Sequence, residues 1–266
     1  MTMAHPLHHH LDTTPHLAAR SVEATRPFKW IAQGWDDLWA NSATSLLYGL
    51  FFAGVGYLIM AYSAAQPYLF TAAVSGFMLV GSLAAAGLYE ISRRAESGQS
   101  TTLAQSLKGL ARNGDSLFYF GILLAIAMIS WERISAILFA LFYHDEVPQL
   151  ANFYREVFLS GSYTYFVSAY LIIGGALALL MYVLSAVSVP LLMDRDVDVV
   201  TAMMTSAQAV GRNLAAMALW GALLVALMAF GFVTYMVGMV IALPLAGHAT
   251  WHAYRDLVER EDAPPH

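Results

Sequence analysis

The chain has 266 residues, 59% of them hydrophobic and only 12% charged, with a net charge of −5 and a mean hydropathy of +0.58. Soluble domains carry about 25% charged residues, so this chain lacks the polar surface to cover a water-soluble globule of its size, and lipid is the simplest substitute. Thirteen basic against eighteen acidic residues exclude a nucleic-acid footprint, and the absence of cysteine excludes a disulfide framework, a thiol nucleophile, an iron–sulfur cluster and a Cys zinc site.

In chain order, residues 1–27 read as a disordered, His-rich cytoplasmic tail (His5, His8, His9, His10, His16) with no apolar signal core or cleavage site. Residues 28–258 read as a six-helix transmembrane domain, and residues 259–266 as a short cytoplasmic tail. A helix needs about 20 residues to span a ~30 Å hydrocarbon core. The first span is expected from Thr44 to Tyr62 and the second from Pro67 to Tyr89. The third runs from Ser116 to Trp131. Glu132 and Arg133 interrupt it, and Ile134 to Tyr143 follows as a segment that either spans or lies in the outer leaflet. The fourth is expected from Tyr163 to Met193. The last apolar run, Leu214 to Gly247, has 34 residues and is divided into two spans by a hairpin near Gly231. Eleven of the thirteen basic residues fall on one side of this arrangement, leaving Arg133 and Arg155 on the other. By the positive-inside rule both termini are then cytoplasmic, in a bacterial inner membrane.

An internal period runs through the chain. Asn41, Asn113 and Asn213 are each followed eight residues later by a glycine (Gly49, Gly121, Gly221), with an aromatic just before it (Tyr48, Phe120, Trp220). Before each Asn lies an amphipathic stretch with apolar residues at i, i+4 and i+7: Ile31, Trp35, Leu38; Leu103, Leu107, Leu110; Met203, Ala207, Val210. The expected architecture is therefore all-α: six transmembrane helices with three cytoplasmic interfacial helices in a threefold internal repeat. Each Asn caps the turn from the headgroup layer into the bilayer.

The segments Arg26-Pro-Phe-Lys-Trp-Ile, Gly87-Leu-Tyr-Glu-Ile-Ser-Arg-Arg94, Ser188-Val-Pro-Leu-Leu-Met-Asp-Arg195 and Leu243-Pro-Leu-Ala-Gly-His-Ala-Thr-Trp-His-Ala-Tyr-Arg-Asp-Leu257 resemble the bacterial integral membrane family catalogued as domain of unknown function 2189. The resemblance covers about residues 26 to 258. It implies an inner-membrane protein and brings no established activity. Some members carry a cytochrome oxidase subunit I label, but none of the nine histidines here is expected at mid-membrane, where haem and copper ligands would have to sit.

His248 and His252, four apart on one helix face, are candidate metal ligands, with Glu90 at the corresponding end of the second span as a third. The competing reading makes the histidines interfacial neighbours of Trp251 and Tyr254 in an aromatic belt. Glu132–Arg133 is a candidate intramembrane pair or an outer-interface pair. Asp194, Arg195, Asp196 and Asp198 read as a solvated turn before a helix N-terminus. No nucleophile elbow or phosphate-cradling glycine loop is present in the sequence.

The functional expectation is a noncatalytic inner-membrane accessory or scaffold protein that binds partner helices or lipid. Small residues that permit close helix approach (Gly49, Ala53, Gly54, Gly56) favour it. The alternative is a small-molecule transporter or channel built from repeated helix hairpins, against which stands the scarcity of polar side chains at mid-span beyond Ser75, Ser168 and Ser185. Whether the chain is an enzyme stays open. No cofactor is expected; membrane lipid and partner membrane proteins are the expected partners, and nucleic acid is not.

Overall fold

The computed structural model describes residues 17–63, 85–142, 161 and 163–259. Among them all regular structure is helical, apart from one isolated antiparallel bridge between Ala19 and Val258. In chain order the helices are α1 (Arg26–Ala40), α2 (Ser42–Ser63), α3 (85–95), α4 (Leu103–Gly109), α5 (Gly114–Phe142), α6 (Thr164–Ser185), α7 (Ser188–Asp194), α8 (Val199–Arg212), α9 (Leu214–Val233) and α10 (Met239–Leu257). Among the described residues four stretches are long and apolar enough to cross a membrane: Ser42–Ile59, Gly114–Phe142, Thr164–Asp194 and Leu214–Val233. Helices suit such sequences because every backbone group is satisfied within the segment, as hydrocarbon demands.

The first expected span lies within α2. Most of the second falls outside the described residues, which resume with α3. The third differs from expectation. α5 is one continuous helix of 29 residues, about 43 Å long at ~1.5 Å per residue, and Glu132 and Arg133 sit exposed on its flank without interrupting it. Their side chains project from the helix, so they leave the backbone ladder intact.

The fourth expected span breaks at Ala186–Val187, between α6 and α7, and the cause is visible. The Ser206 hydroxyl of α8 donates to the Val183 carbonyl (2.8 Å) and accepts from the Val187 N–H (3.4 Å), the two groups that would otherwise bond to each other in a helix. Pro190, three residues on, has no N–H and so leaves the Ala186 carbonyl without its helical donor. The hairpin expected near Gly231 turns instead at 234–238. Tyr235 and Met236 take left-handed φ values of 52° and 70°, and the Gly238 N–H donates to Thr234 Oγ1 at 2.7 Å. Gly231 instead lets the two helices meet, since a Cβ there would come within 2.8 Å of the Met239 side chain.

The densest packing surrounds α10. Trp30, Trp220, Trp251 and Tyr254 are fully buried, with Trp30 edge-on to Trp220 at 5.7 Å. α1 lies so close to α10 that a Cβ on Gly34 would fall 2.7 Å from the Ala249 nitrogen. The Val240 carbonyl lacks its usual helical donor because residue 244 is proline, and Gly49 of α2 packs onto that carbonyl; a Cβ at Gly49 would lie 2.0 Å from the oxygen. The absence of a side chain turns a helix defect into a contact surface.

On α1 the buried face is Pro27, Trp30, Gly34 and Leu38; of the apolar stripe Ile31, Trp35 and Leu38, Leu38 packs into the core and Trp35 is exposed. Leu103 and Leu107 of α4 are likewise exposed. The N-terminal boundary also moves. Residues expected to belong to the disordered tail are hydrogen-bonded into the domain from Ala18 onward: Arg20 N–H donates to the Leu257 carbonyl (2.7 Å), Glu259 N–H to the Ala18 carbonyl (3.1 Å), and Ala19 is buried.

Candidate functional site

The last three turns of α10 carry six polar or aromatic side chains that reach four different elements. Asp256 accepts from Arg26 Nε (2.6 Å) and Trp30 Nε1 (2.7 Å) of α1. His252 Nε2 lies 2.9 Å from Asp37 Oδ2, also on α1. His248 is fully buried between two hydroxyls, Ser45 of α2 on Nε2 (2.9 Å) and Ser92 of α3 on Nδ1 (2.7 Å). Trp251 Nε1 donates to Glu96 (3.0 Å), Tyr254 donates to Asp194 (2.6 Å), and Arg255 bridges Glu96 and Asp194. A neutral imidazole donates through one nitrogen and accepts through the other, and a hydroxyl can do either, so His248 is satisfied between its two serines.

Glu90 sits on α3 two residues before Ser92, a rotation of roughly 200° about the helix. Its carboxylate therefore faces away from His248. It is fully buried and meets Arg93 in a two-pronged pair (2.8 Å on each oxygen), Arg94 Nε (2.8 Å) and Arg112 Nη2 (3.5 Å). Gly109 of α4 makes room for it, since a Cβ there would lie 2.6 Å from Glu90 Cγ. Burial alone would raise this carboxyl's pKa, but the hydrogen bonds and charges of the arginines outweigh it and hold the group below its ordinary value. Asp256 follows the same pattern: burial works to raise it, and the bonds from Arg26 and Trp30 bring it below the usual range.

The three asparagines bond beyond their own helices; Asn213, at the start of α9, makes no side-chain cap bond to that helix, while its Nδ2 donates to the Ala209 carbonyl at the end of α8 (2.9 Å). Each reaches across to the loop before another short helix. Asn41 Oδ1 accepts from the Thr101 N–H (3.2 Å) ahead of α4. Asn113 Nδ2 donates to the Arg195 and Val197 carbonyls (3.3 and 3.1 Å) ahead of α8. Asn213 accepts from the Val22 N–H (2.8 Å) and donates to the Arg20 carbonyl (2.8 Å) ahead of α1. Three residues after two of the asparagines, the hydroxyls of Thr44 and Ser116 donate to the same loops, at Thr101 O and Val197 O. Each Asn carbonyl also accepts the N–H four residues on, at Ser45, Leu117 and Met217.

His248, His252 and Glu90 thus lie at one end of the bundle, but each is committed to different partners. Among the described residues no group of three or more His, Asp or Glu side chains is placed to hold a metal. The tail histidines, His144 and His266 lie outside the described residues. Asp198 caps α8 through the Thr201 N–H (3.0 Å), as its place before a helix suggests. Sequence reading passed over Ser45, Ser92, Asp37 and Asp256, whose partners are 156 or more residues away in every bond to α10. The Glu90, Arg93, Arg94 spacing of three and four was a readable helical ion-pair signal.

Residues 69–194 match the model of a family described as a predicted integral membrane protein (DUF2189). This is the family the sequence resembles. No curated relative and no solved structure matches the chain. The matched stretch of the DUF2189 model contains Glu90 with its three arginines, Asn113 and the broken helix pair α6–α7; α1, α9 and α10 lie outside it.

Proposed function

We propose that the chain is a noncatalytic accessory or scaffold protein of a bacterial inner membrane, binding partner helices or lipid along its apolar helices. The observation that carries this reading is α5. It is 29 residues long and apolar, yet only 6% of its spanning window is buried by the rest of the chain, against 39% for α2. Phe118, Ile122, Ile126, Ile129, Ile137 and Leu141 project outward along most of its length. A surface of this kind is covered by lipid tails or by another helix.

In this reading the chain crosses the membrane six times as three units, each an interfacial helix, a span and a return span. The order of the asparagine contacts supports the repeat: the first unit's Asn grips the loop before the second unit's short helix, the second grips the third, and the third grips the first. Such a closed cycle is what a pseudo-threefold arrangement requires. The Ala19–Val258 bridge favours both ends on one side.

The absence of native cysteine makes the scaffold reading testable in membranes. Single cysteines at Ile122, Ile126 and Ile129 are expected to crosslink to a discrete partner chain, or to retain lipid through mild detergent extraction. A cysteine at buried Phe120 serves as the control. Solute flux through the purified chain in liposomes, with no crosslink and no retained lipid, would overturn the reading in favour of a transporter.

A further inference from the structure

Around Glu90 the charges do not balance. Three guanidiniums face one buried carboxylate, and the two nearest other acids, Glu96 and Asp194, are already engaged by Arg255. The whole network holds four arginines against three carboxylates, with the excess at the Glu90 end; Lys108, exposed on α4, adds to it. Two of the arginines keep much of their donor capacity. Arg94 uses one of its three nitrogens on Glu90, and Arg112 makes only long contacts, 3.5 Å to Glu90 and 3.4 Å to the Met193 carbonyl. The side chains of Arg93, Arg94 and Arg112 are 29%, 27% and 42% exposed, so an outside anion can reach them.

Position supplies the identity of that anion. Arg112 stands two residues before α5 begins and five before its first apolar residue, Leu117, and Phe118 and Tyr119 lie exposed in the first turns of that helix, as aromatic side chains do at a membrane boundary. Leu103 and Leu107 are exposed on α4 beside the cluster. The guanidiniums thus sit at the level of headgroups, where the abundant anion is a phosphate ester. Guanidinium matches phosphate oxygens in planar, paired hydrogen bonds. Glu90, pinned beneath Gly109, sets the arginines in place before any ligand arrives.

We propose that Arg93, Arg94 and Arg112, organised by Glu90, form a phosphate-binding site for the headgroup of an anionic phospholipid. The inference rests on the lipid-binding half of the reading above, and its failure would leave the partner-helix half standing. The test uses the full chain in a zwitterionic detergent. Thermal unfolding is followed with phosphatidylglycerol, phosphatidylcholine or inorganic phosphate added, for wild type and for R94Q/R112Q. Phosphatidylglycerol is expected to stabilise the wild type, with an apparent affinity about tenfold or more above that of the double variant, the loss expected when charge-assisted bonds are removed. R94K/R112K, which keeps charge without the planar fork, falls between. If inorganic phosphate reproduces the full effect, the site is a phosphate site fed from solution. An equal phosphatidylglycerol and phosphate response in wild type and R94Q/R112Q overturns the proposal. Should the double variant not fold, R112Q alone carries the same comparison, because it removes only long contacts.

Discussion

Glu90 is a carboxylate with no solvent exposure that stays ionised because three arginines surround it. Its pKa lies below the ordinary value of ~4.3 in the folded chain and near it in the unfolded chain. The resulting stability is complete above the unfolded value and drains away as pH falls through the folded one. Its contribution to the melting temperature in detergent is therefore expected to be constant above about pH 5 and lost below about pH 4. This comes on top of an earlier decline below about pH 6.5 from His248, whose pKa burial pushes down to about 4, so that the folded chain resists a proton the unfolded chain takes up. Asp256, also lowered, contributes to the same acid limb. Glu90→Gln should lower stability at pH 7 and make the acid limb shallower. Because the arginines are partly exposed, its cost should fall toward or below the low end of the ~3–5 kcal/mol seen when a buried pair is broken. An acid limb unchanged by Glu90→Gln would mean that the carboxyl has the same pKa in the folded and unfolded chain, so that its arginines add no net stability.

At the scale of elements, the junction between a short helix and a long one recurs at each asparagine, but the three contacts differ in strength. Asn213 makes bonds of 2.8, 2.8 and 2.9 Å, to Val22, Arg20 and Ala209. Asn113 makes two longer ones and Asn41 a single one of 3.2 Å. Alanine substitution at Asn213 removes the partner of three backbone groups, one buried and two part-buried, and is expected to cost about 1–3 kcal/mol. Asn113→Ala should cost less, and Asn41→Ala least, near ~0.5 kcal/mol. Unfolding of the three variants in one detergent tests the order. Equal losses at all three sites would mean that the loop contacts contribute nothing beyond the turn itself.

For the whole molecule, the pairing of residues 18–20 with 257–259 constrains topology. Segments hydrogen-bonded to each other lie on the same side of a membrane, so the number of crossings between them is even. Reporter fusions after residue 25 and after residue 260 should both report the cytoplasm, and one at Gln149 the periplasm. The expected side follows from the positive-inside rule applied to the asymmetry of the basic residues, as in the reading proposed above. Opposite compartments for the two termini would refute both the six-span count and the terminal pairing.

Composition pointed to a membrane protein, because a 12% charged chain lacks the polar surface of a soluble globule, and continuous apolar runs of about 20 residues pointed to helices as the spanning elements. Periodicity placed the short amphipathic helices and the long apolar ones, since hydrophobic spacing is a local property. Spacing also marked the three asparagines as equivalent. Tertiary structure alone decided what those asparagines do: a side chain that reads as a cap turns outward when another loop offers a better-placed donor or acceptor. It decided that Ser206 breaks the α6–α7 helix, and that the turn falls at 234–238 and not at Gly231. It also separated Glu90 from His248, which local reading had grouped by their shared end of the bundle. Two residues of helix rotation place Glu90 on the opposite face from Ser92, so the histidine keeps its two serines and the carboxylate keeps its arginines.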